Sequence, residues 1–192
     1  ELRGSGNLLG KEQSGNIQAV GLDTYIGLLE EAVAAVRGTS ERNALDPDVK
    51  VPVSALIPES YIEDDKERLK QYQKLAVTQS VQEVRGLLDS WERLYGPPPR
   101  EALQLGWICE ARLWCRQLGI ERLHWLKVRI ELTAHKTTTI AAESLRKLAM
   151  KHPTRMEVGP GAPWVLSLRF QAEEAERPFH LLLWLFQQLQ RL

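Results

Sequence analysis

The chain has 192 residues, 43% of them hydrophobic, and its 25 basic and 25 acidic side chains give a formal net charge of zero. Length and composition predict one compact domain with a real core plus some additional chain. The balanced charge disfavours independent binding of nucleic acid, for which a basic excess is typical. No apolar stretch approaches the 18 or so residues of a membrane span, so no contact with a membrane is expected.

The first fifteen residues are rich in glycine and show no amphipathic pattern. Because the chain also starts at Glu1 without a methionine, we expect a piece of a longer protein, cut inside a motif of a neighbouring domain. Residues 22–36 place Leu22, Ile26, Leu29 and Val33 at helical spacing and predict a connecting helix. Residues 39–48 are polar and without periodicity, which is typical of a linker.

Residues 49–53 alternate as in a strand, and Pro52 restricts that strand to a sheet edge because proline cannot donate to the ladder. Three helices are then predicted. The first is capped by Asp64 or Asp65, the second opens with the capping box Ser80 to Glu83, and the third runs from near Pro99 to Gly119. On the second helix, Val84, Leu87, Leu88, Trp91 and Leu94 are expected to face inward.

The second half of the chain begins with apolar residues that alternate, as in a strand, instead of recurring at helical spacing. A half-buried strand is predicted over residues 126–133, followed by a helix over residues 138–151. Two short strands around the turn at residues 159–163 indicate an antiparallel hairpin, and a last helix begins near Pro178. The sequence therefore predicts an α+β fold, with several helices packed with a small, partly antiparallel sheet, preceded by an irregular tail and a connecting helix.

Few patterns indicate chemistry. Gly4 to Gly6 lacks the strand, third glycine and helix of a dinucleotide fingerprint, and no phosphate-binding GxxxxGK[ST] motif is present. The two cysteines, Cys109 and Cys115, have no CxxC spacing and no histidine at metal-ligand spacing, so buried thiols and a cytoplasmic protein are expected. We expect no catalytic residue, no metal and no cofactor in this chain, although a catalytic triad assembled in space stays open.

Two surfaces could bind a partner. Asp89 and Glu92 lie on the polar face of the second predicted helix, where charges are either solvated or form the rim of a docking surface for a basic patch. The last helix is apolar around most of its circumference. It is either buried on two sides within this domain, which we favour, or packs one side against another domain.

Several motifs resemble one family. Residues 2–15 resemble the end of a translocation motif, approximately LRGxGxLLGxxQSG, that RecG-type DNA translocases share with the bacterial transcription-repair coupling factors. The continuation separates the two, because residues 20–33 and 55–62 are similar to the helix and the LIPDDYI stretch of coupling factors. Shorter matches lie at residues 68–72, 95–97 and 118–120.

The resemblance implies a C-terminal fragment of a coupling factor. Residues 1–20 would be the end of the translocation motif, residues 21–45 a connecting helix and linker, and residues 46–192 a C-terminal regulatory domain. It further implies that Arg3 and Gln13 couple ATP hydrolysis to movement on DNA, although the motor that they serve is absent from this sequence.

In that family the parent is an ATP- and Mg-dependent translocase on double-stranded DNA that displaces stalled RNA polymerase. It recruits nucleotide excision repair through a module that binds UvrA. The C-terminal domain packs against this module and masks it, and Asp89 and Glu92 are our candidates for the docking face. Two alternatives stay open: a protein-interaction module with an external partner, and an independent enzyme.

Overall fold

The computed structural model describes residues 45–170 and 178–192. Arg3, Gln13 and the helix predicted over residues 22–36 lie outside the described residues. The division of the chain at residues 20 and 45 therefore stays a prediction.

The described residues form five helices and one five-stranded sheet. In chain order the elements are β1 (Asp48–Lys50), α1 (Asp65–Ala76), α2 (Val81–Tyr95), α3 (Arg100–Leu118), β2 (Ile120–Trp125), β3 (Arg129–Ala134), α4 (Ala142–Lys151), β4 (Met156–Val158), β5 (Val165–Arg169) and α5 (Pro178–Gln190). The strand order is β1-β2-β3-β5-β4, with β1 parallel to β2 and the other pairs antiparallel. The predicted α+β fold is confirmed.

The sheet has one buried and one polar face. On β3, Ile130, Leu132 and Ala134 are fully buried, whereas Arg129, Glu131 and Thr133 point the other way. Strand register extends this division across the sheet, because Leu132 faces Leu123 on one side and Leu166 on the other. The buried face joins α3 and α5 in one hydrophobic core, and the polar face stays open to solvent among the described residues.

The strand prediction over residues 126–133 was wrong at its start, and β2 was missed. Leu126 and Val128 are 38% and 64% exposed. They belong to a turn that the backbone N–H of Leu126 closes by donating to the carbonyl of Arg129 over 2.8 Å. The apolar alternation happens to continue through this turn. In β2, an irregularity in register between Ile120 and Arg122 interrupts the alternation that a pattern search needs.

Two helical predictions also need correction. The helix predicted from residue 138 begins at Ala142, because the Thr138 hydroxyl donates to the carbonyl of Leu118 and its N–H donates to His135 within a turn. Leu94, expected inside, is 66% exposed, since Tyr95 is the residue at that end of α2 that reaches α1. The helix starts are confirmed: Asp64 accepts from the N–H of Glu67, and Ser80 accepts from that of Glu83.

Helix α3 is the central helix of the domain. Cys109 and Cys115 are both buried although they lie on different sides of α3, because the helix is covered on both. The chain entering the domain is fastened to the same helix. Arg112 donates to the Asp46 carboxylate over 2.7 Å, and Arg116 Nε donates to the carbonyl of Leu45 over 3.2 Å.

A buried polar network joins α1 to α2. The Gln71 side chain is fully buried, and its oxygen accepts from the Trp91 indole N–H over 2.8 Å. Its amide nitrogen donates to Glu67 over 2.6 Å and lies 3.3 Å from the Tyr95 hydroxyl, which itself donates to Glu67. These two donors hold the pKa of Glu67 below its usual range. Gln71 and Tyr95 lie in stretches that resemble the family, and both have structural roles here.

Gly119 makes the corner between α3 and β2. Its φ of +64° is in the left-handed region, and a Cβ built on it would lie 2.6 Å from the backbone Cα of Thr138. Its carbonyl accepts from the N–H of His135 over 2.8 Å. Only glycine fits both the backbone angle and the space at this corner.

Strand β1 lies at the edge of the sheet, as predicted, but it ends at Lys50, so the strand predicted over residues 49–53 was wrong at its end and Pro52 lies outside it. This strand places Asp48 beside basic side chains. His124 Nε2 lies 2.8 Å and Lys50 Nζ 3.1 Å from the Asp48 carboxylate. Partial burial raises the pKa of Asp48, but the hydrogen bonds with His124 and Lys50 outweigh it, so the pKa lies below its ordinary value.

We expect Asp48→Asn to flatten the acid limb of the stability curve. A carboxyl whose pKa is lower in the folded than in the unfolded state stabilises the fold above about pH 4, and this contribution is lost as the pH falls through the folded-state pKa. Urea unfolding between about pH 6 and pH 3 measures the difference. The exposed Glu59→Gln is the control, and curves for Asp48→Asn that run parallel to the wild type would contradict the assignment.

Candidate docking groove

A groove of about 440 Å³ runs between α2 and α5, with α3 as its floor. We call it the α2–α5 groove. Its floor residues recur at helical spacing on one side of α3: Leu103, Trp107, Glu110, Ala111 and Trp114. One wall is a stripe of α2 formed by Arg85, Leu88, Asp89 and Glu92, and the opposite wall belongs to α5, with Phe179, His180, Leu182, Leu183 and Phe186.

Aromatic contacts hold α5 on α3. The rings of Trp107 and Phe179 lie 4.6 Å apart, and those of Trp114 and Phe186 stack at 6.1 Å. On the other side of the floor, Gly106 lets α2 approach closely, since a Cβ at this glycine would lie 2.7 Å from Leu88 Cδ1. The shape of the groove is therefore set by packed side chains of three helices.

Asp89 and Glu92 lie on the α2 wall, where the sequence placed them. Both are exposed, and among the described residues neither takes part in an ion pair. They are one turn apart on the same stripe, so two negative charges border a largely apolar trough. Such an arrangement suits a partner that offers both an apolar side chain and a positive charge.

The wall also holds a pair that the sequence analysis missed. Arg85 binds Glu110 with two hydrogen bonds of 3.0 Å, from Nε to Oε1 and from Nη2 to Oε2. Glu110 is nearly buried while Arg85 is half exposed, and the hydrogen bonds to Glu110 raise the pKa of the guanidinium. Since the two residues are 25 positions apart on different helices, no local pattern could have paired them.

The floor contains one polar atom without a partner. The indole Nε1 of Trp114 is buried and finds no acceptor among the described residues. A buried donor left unpaired costs about 1–3 kcal/mol.

The structure thus joins two features that the sequence presented separately. Asp89 and Glu92 face α5, the helix with the unusually broad apolar surface. Phe179, Leu182 and Phe186 are buried by contact within the domain, while Leu183 is only half buried and lines the groove. The favoured interpretation of α5, packing within this domain, accounts for most of its apolar residues but leaves one strip open.

Other kinds of site are not indicated in residues 45–170 and 178–192. No group of three or more His, Cys, Asp or Glu side chains there could hold a metal ion. No helix in these segments has the length and apolar character needed to cross a membrane. Burial raises the pKa of the Cys115 thiol, which keeps it protonated and unreactive.

Comparison with known proteins identifies the family. Residues 51–145 match the family model described as the TRCF domain. This region contains β2, β3 and helices α1 to α3 with the floor and one wall of the groove. The chain belongs to the TRCF family.

Curated proteins that are similar in sequence support the same family assignment. The transcription-repair-coupling factor of Borreliella burgdorferi is 28% identical over 178 residues, which is 92% of this chain and 16% of the relative. Those of Mycobacterium tuberculosis and Myxococcus xanthus are 40% and 37% identical over 62% and 76% of this chain, and 11% and 12% of their own lengths. The chain thus spans less than a fifth of these relatives.

A solved structure shows the same fold. The crystal structure of the C-terminal domain of a transcription-repair coupling factor superposes with a TM-score of 0.67 at 17% identity, covering 79% of this chain and 96% of that chain. The resemblance found in the sequence is confirmed: this TRCF-family chain corresponds to the C-terminal part of a coupling factor.

Proposed function

We propose that residues 46–192 form a regulatory domain that docks through the α2–α5 groove onto the UvrA-binding module of its parent and masks it. The observation that carries this proposal is the position of Asp89 and Glu92, two exposed carboxylates without an ion pair among the described residues, at the edge of an aromatic trough. An apolar trough bordered by exposed carboxylates suits a partner surface that offers apolar and basic side chains together.

The trough and its rim, which is formed by Asp89 and Glu92, contribute to binding in different ways. Apolar side chains that enter the trough beside Trp107 and Leu183 supply most of the binding free energy, as buried anchors do in protein interfaces. The carboxylates at the rim select a basic partner and reject an acidic one, since exposed charges govern specificity and encounter rate more than affinity.

The parent is proposed to be an ATP- and Mg-dependent translocase on double-stranded DNA that acts in the cytoplasm. It would displace stalled RNA polymerase and bring in UvrA, and Arg3 and Gln13 would belong to its translocation motif. The names of the relatives, which are transcription-repair-coupling factors, support a role in DNA repair coupled to transcription.

Reversing the charges of the rim in the full-length parent, with Asp89→Lys and Glu92→Lys together, is expected to raise its affinity for UvrA about 10-fold, within the usual range of coupling between two sites. Repulsion from the basic partner patch opens the masked state, so more of the protein is competent to bind. Binding of the parent to immobilised UvrA measures the change.

The matched control is Glu59→Lys with Glu63→Lys, two exposed carboxylates outside the groove. Removal of residues 46–192 gives the upper limit of the effect. If both the deletion and the rim variant bind UvrA as tightly as the wild type, the masking role is wrong. An affinity that rises with the deletion but not with the rim variant would move the docking face away from Asp89 and Glu92.

The external-partner alternative predicts a different result: the rim variant keeps its affinity for UvrA but loses its binding to another protein. The third alternative, an independent enzyme, would require converging titratable groups in a deep polar pocket. The α2–α5 groove is instead mainly apolar, and its Glu110 is already paired with Arg85. These features support docking over catalysis at this groove.

A further inference from the structure

The polar face of the sheet carries two arginines side by side, with a third next to them. Arg129 of β3 is the register partner of Arg169 of β5. The N–H of Arg169 donates to the carbonyl of Arg155 over 2.7 Å, and the register of Met156 with Leu168 places Arg155 opposite Arg169. Arg129 and Arg169 therefore lie side by side on the polar face of β3 and β5. Arg155, a partly buried residue in the turn just before β4, lies next to Arg169 at the same level. We call the three residues the arginine row, and at about 4.8 Å between strands it spans roughly 10 Å.

Folding alone does not favour this arrangement. Like charges directly opposite each other on neighbouring strands destabilise a sheet. Arg129 and Arg169 have carboxylate neighbours, Glu131 at 2.8 Å and Glu157 at 3.5 Å, but both arginines are about half exposed or more. Exposed pairs of this kind contribute about 0–1 kcal/mol, so an anion of higher charge density can compete with the two glutamates.

The row lies in the basic half of a chain that is neutral as a whole. Residues 119–192 contain eleven lysines and arginines against seven acidic residues, an excess of four positive charges. Residues 45–118 contain ten basic and twelve acidic residues, an excess of two negative charges. The zero net charge of the sequence thus hides a separation of charge between the helical half and the half with most of the sheet.

We propose that the arginine row binds the phosphate backbone of double-stranded nucleic acid. Guanidinium groups bind phosphate oxygens in a bidentate manner, which suits the two exposed arginines of the row, Arg129 and Arg169. Successive phosphates of one strand rise about 3.4 Å along the axis and also turn around it, so a row of roughly 10 Å can contact about two of them from one side. A duplex is favoured over a single strand, because the described residues of this face include no Phe, Tyr or Trp on which bases could stack.

The test measures binding of the 192-residue chain to a fluorescent 20-base-pair DNA at several salt concentrations. The variant carries Arg129→Thr and Arg169→Thr, two β-compatible changes at exposed positions. It is expected to bind about 10-fold more weakly at low salt and to lose about two units from the slope of log affinity against log salt, one for each phosphate contact. Its melting temperature should equal or exceed that of the wild type, because a like-charge pair is removed.

The matched control is Lys66→Thr with Lys74→Thr, which removes two exposed positive charges from α1 and changes the net charge equally. It should bind DNA like the wild type. The proposal is overturned if the wild type shows no salt-dependent binding to the duplex, or if both variants weaken binding equally. It is also overturned if polyglutamate competes for the same two arginines as well as DNA does, since the row would then take an acidic protein surface.

Discussion

Trp91→Phe is expected to lower the free energy of unfolding by about 3 kcal/mol. Trp91 is fully buried, and its indole N–H is the donor to the Gln71 side-chain oxygen. Phenylalanine leaves a small cavity where the second ring was. It also leaves the Gln71 oxygen buried without this donor, which alone costs about 1–3 kcal/mol.

Urea unfolding of the chain measures this change, with the half-buried groove residue Trp107→Phe as control, for which a loss below about 1 kcal/mol is expected. A double-mutant cycle with Gln71→Leu separates the two causes. If loss of the hydrogen bond is the main cause, the double variant Gln71→Leu, Trp91→Phe loses less free energy of unfolding than the sum of the losses in the two single variants. Additive single changes would show that the cavity alone sets the effect.

Gly119→Ala is expected to destabilise the domain by about 2–4 kcal/mol. A residue with a Cβ in the left-handed region costs about 1–2 kcal/mol, and here the Cβ would also press on the backbone of Thr138. The chain cannot relieve this contact without moving the turn that holds His135 and Thr138 to the end of α3. Thermal and urea unfolding report the loss.

Gly86→Ala is the matched control for this change. Gly86 lies in α2 with ordinary helical angles, and nothing lies within 4 Å of a Cβ built there. Alanine should therefore stabilise α2 by about 0.5–1 kcal/mol through its higher helix propensity. Equal destabilisation by both substitutions would show that the corner at Gly119 has no special requirement.

Much of the fold could be predicted from local sequence patterns. Caps and stops marked the helices because Asp64, Ser80 and Gly119 satisfy backbone groups within a few residues of themselves. Strand β2 was missed because its alternation is broken within the strand, and the start of β3 was misplaced because a turn continued the apolar pattern. These errors depend on pairing between distant strands, which a local pattern does not contain.

The sequence predicted parts of the candidate site but not how they come together. The sequence marked Asp89 and Glu92 as charges on the polar face of an amphipathic helix, and it marked α5 by an apolar surface broader than that of a simple amphipathic helix. Their meeting across α3 depends on the packing of Trp107 on Phe179 and of Trp114 on Phe186. The arginine row was hidden for a related reason, because strand register places together three residues from separate parts of the chain.

The attachment of the entering chain to α3 has a mechanical consequence. Asp46 and Leu45 are bonded to Arg112 and Arg116, and Trp114, on the same helix, forms part of the groove floor. Any displacement of Leu45 and Asp46 would therefore be transmitted directly to α3, the helix that forms the floor of the groove, as well as to the neighbouring strand β1. The point where the chain enters the domain and the surface where its partner would dock are thus two sides of one helix.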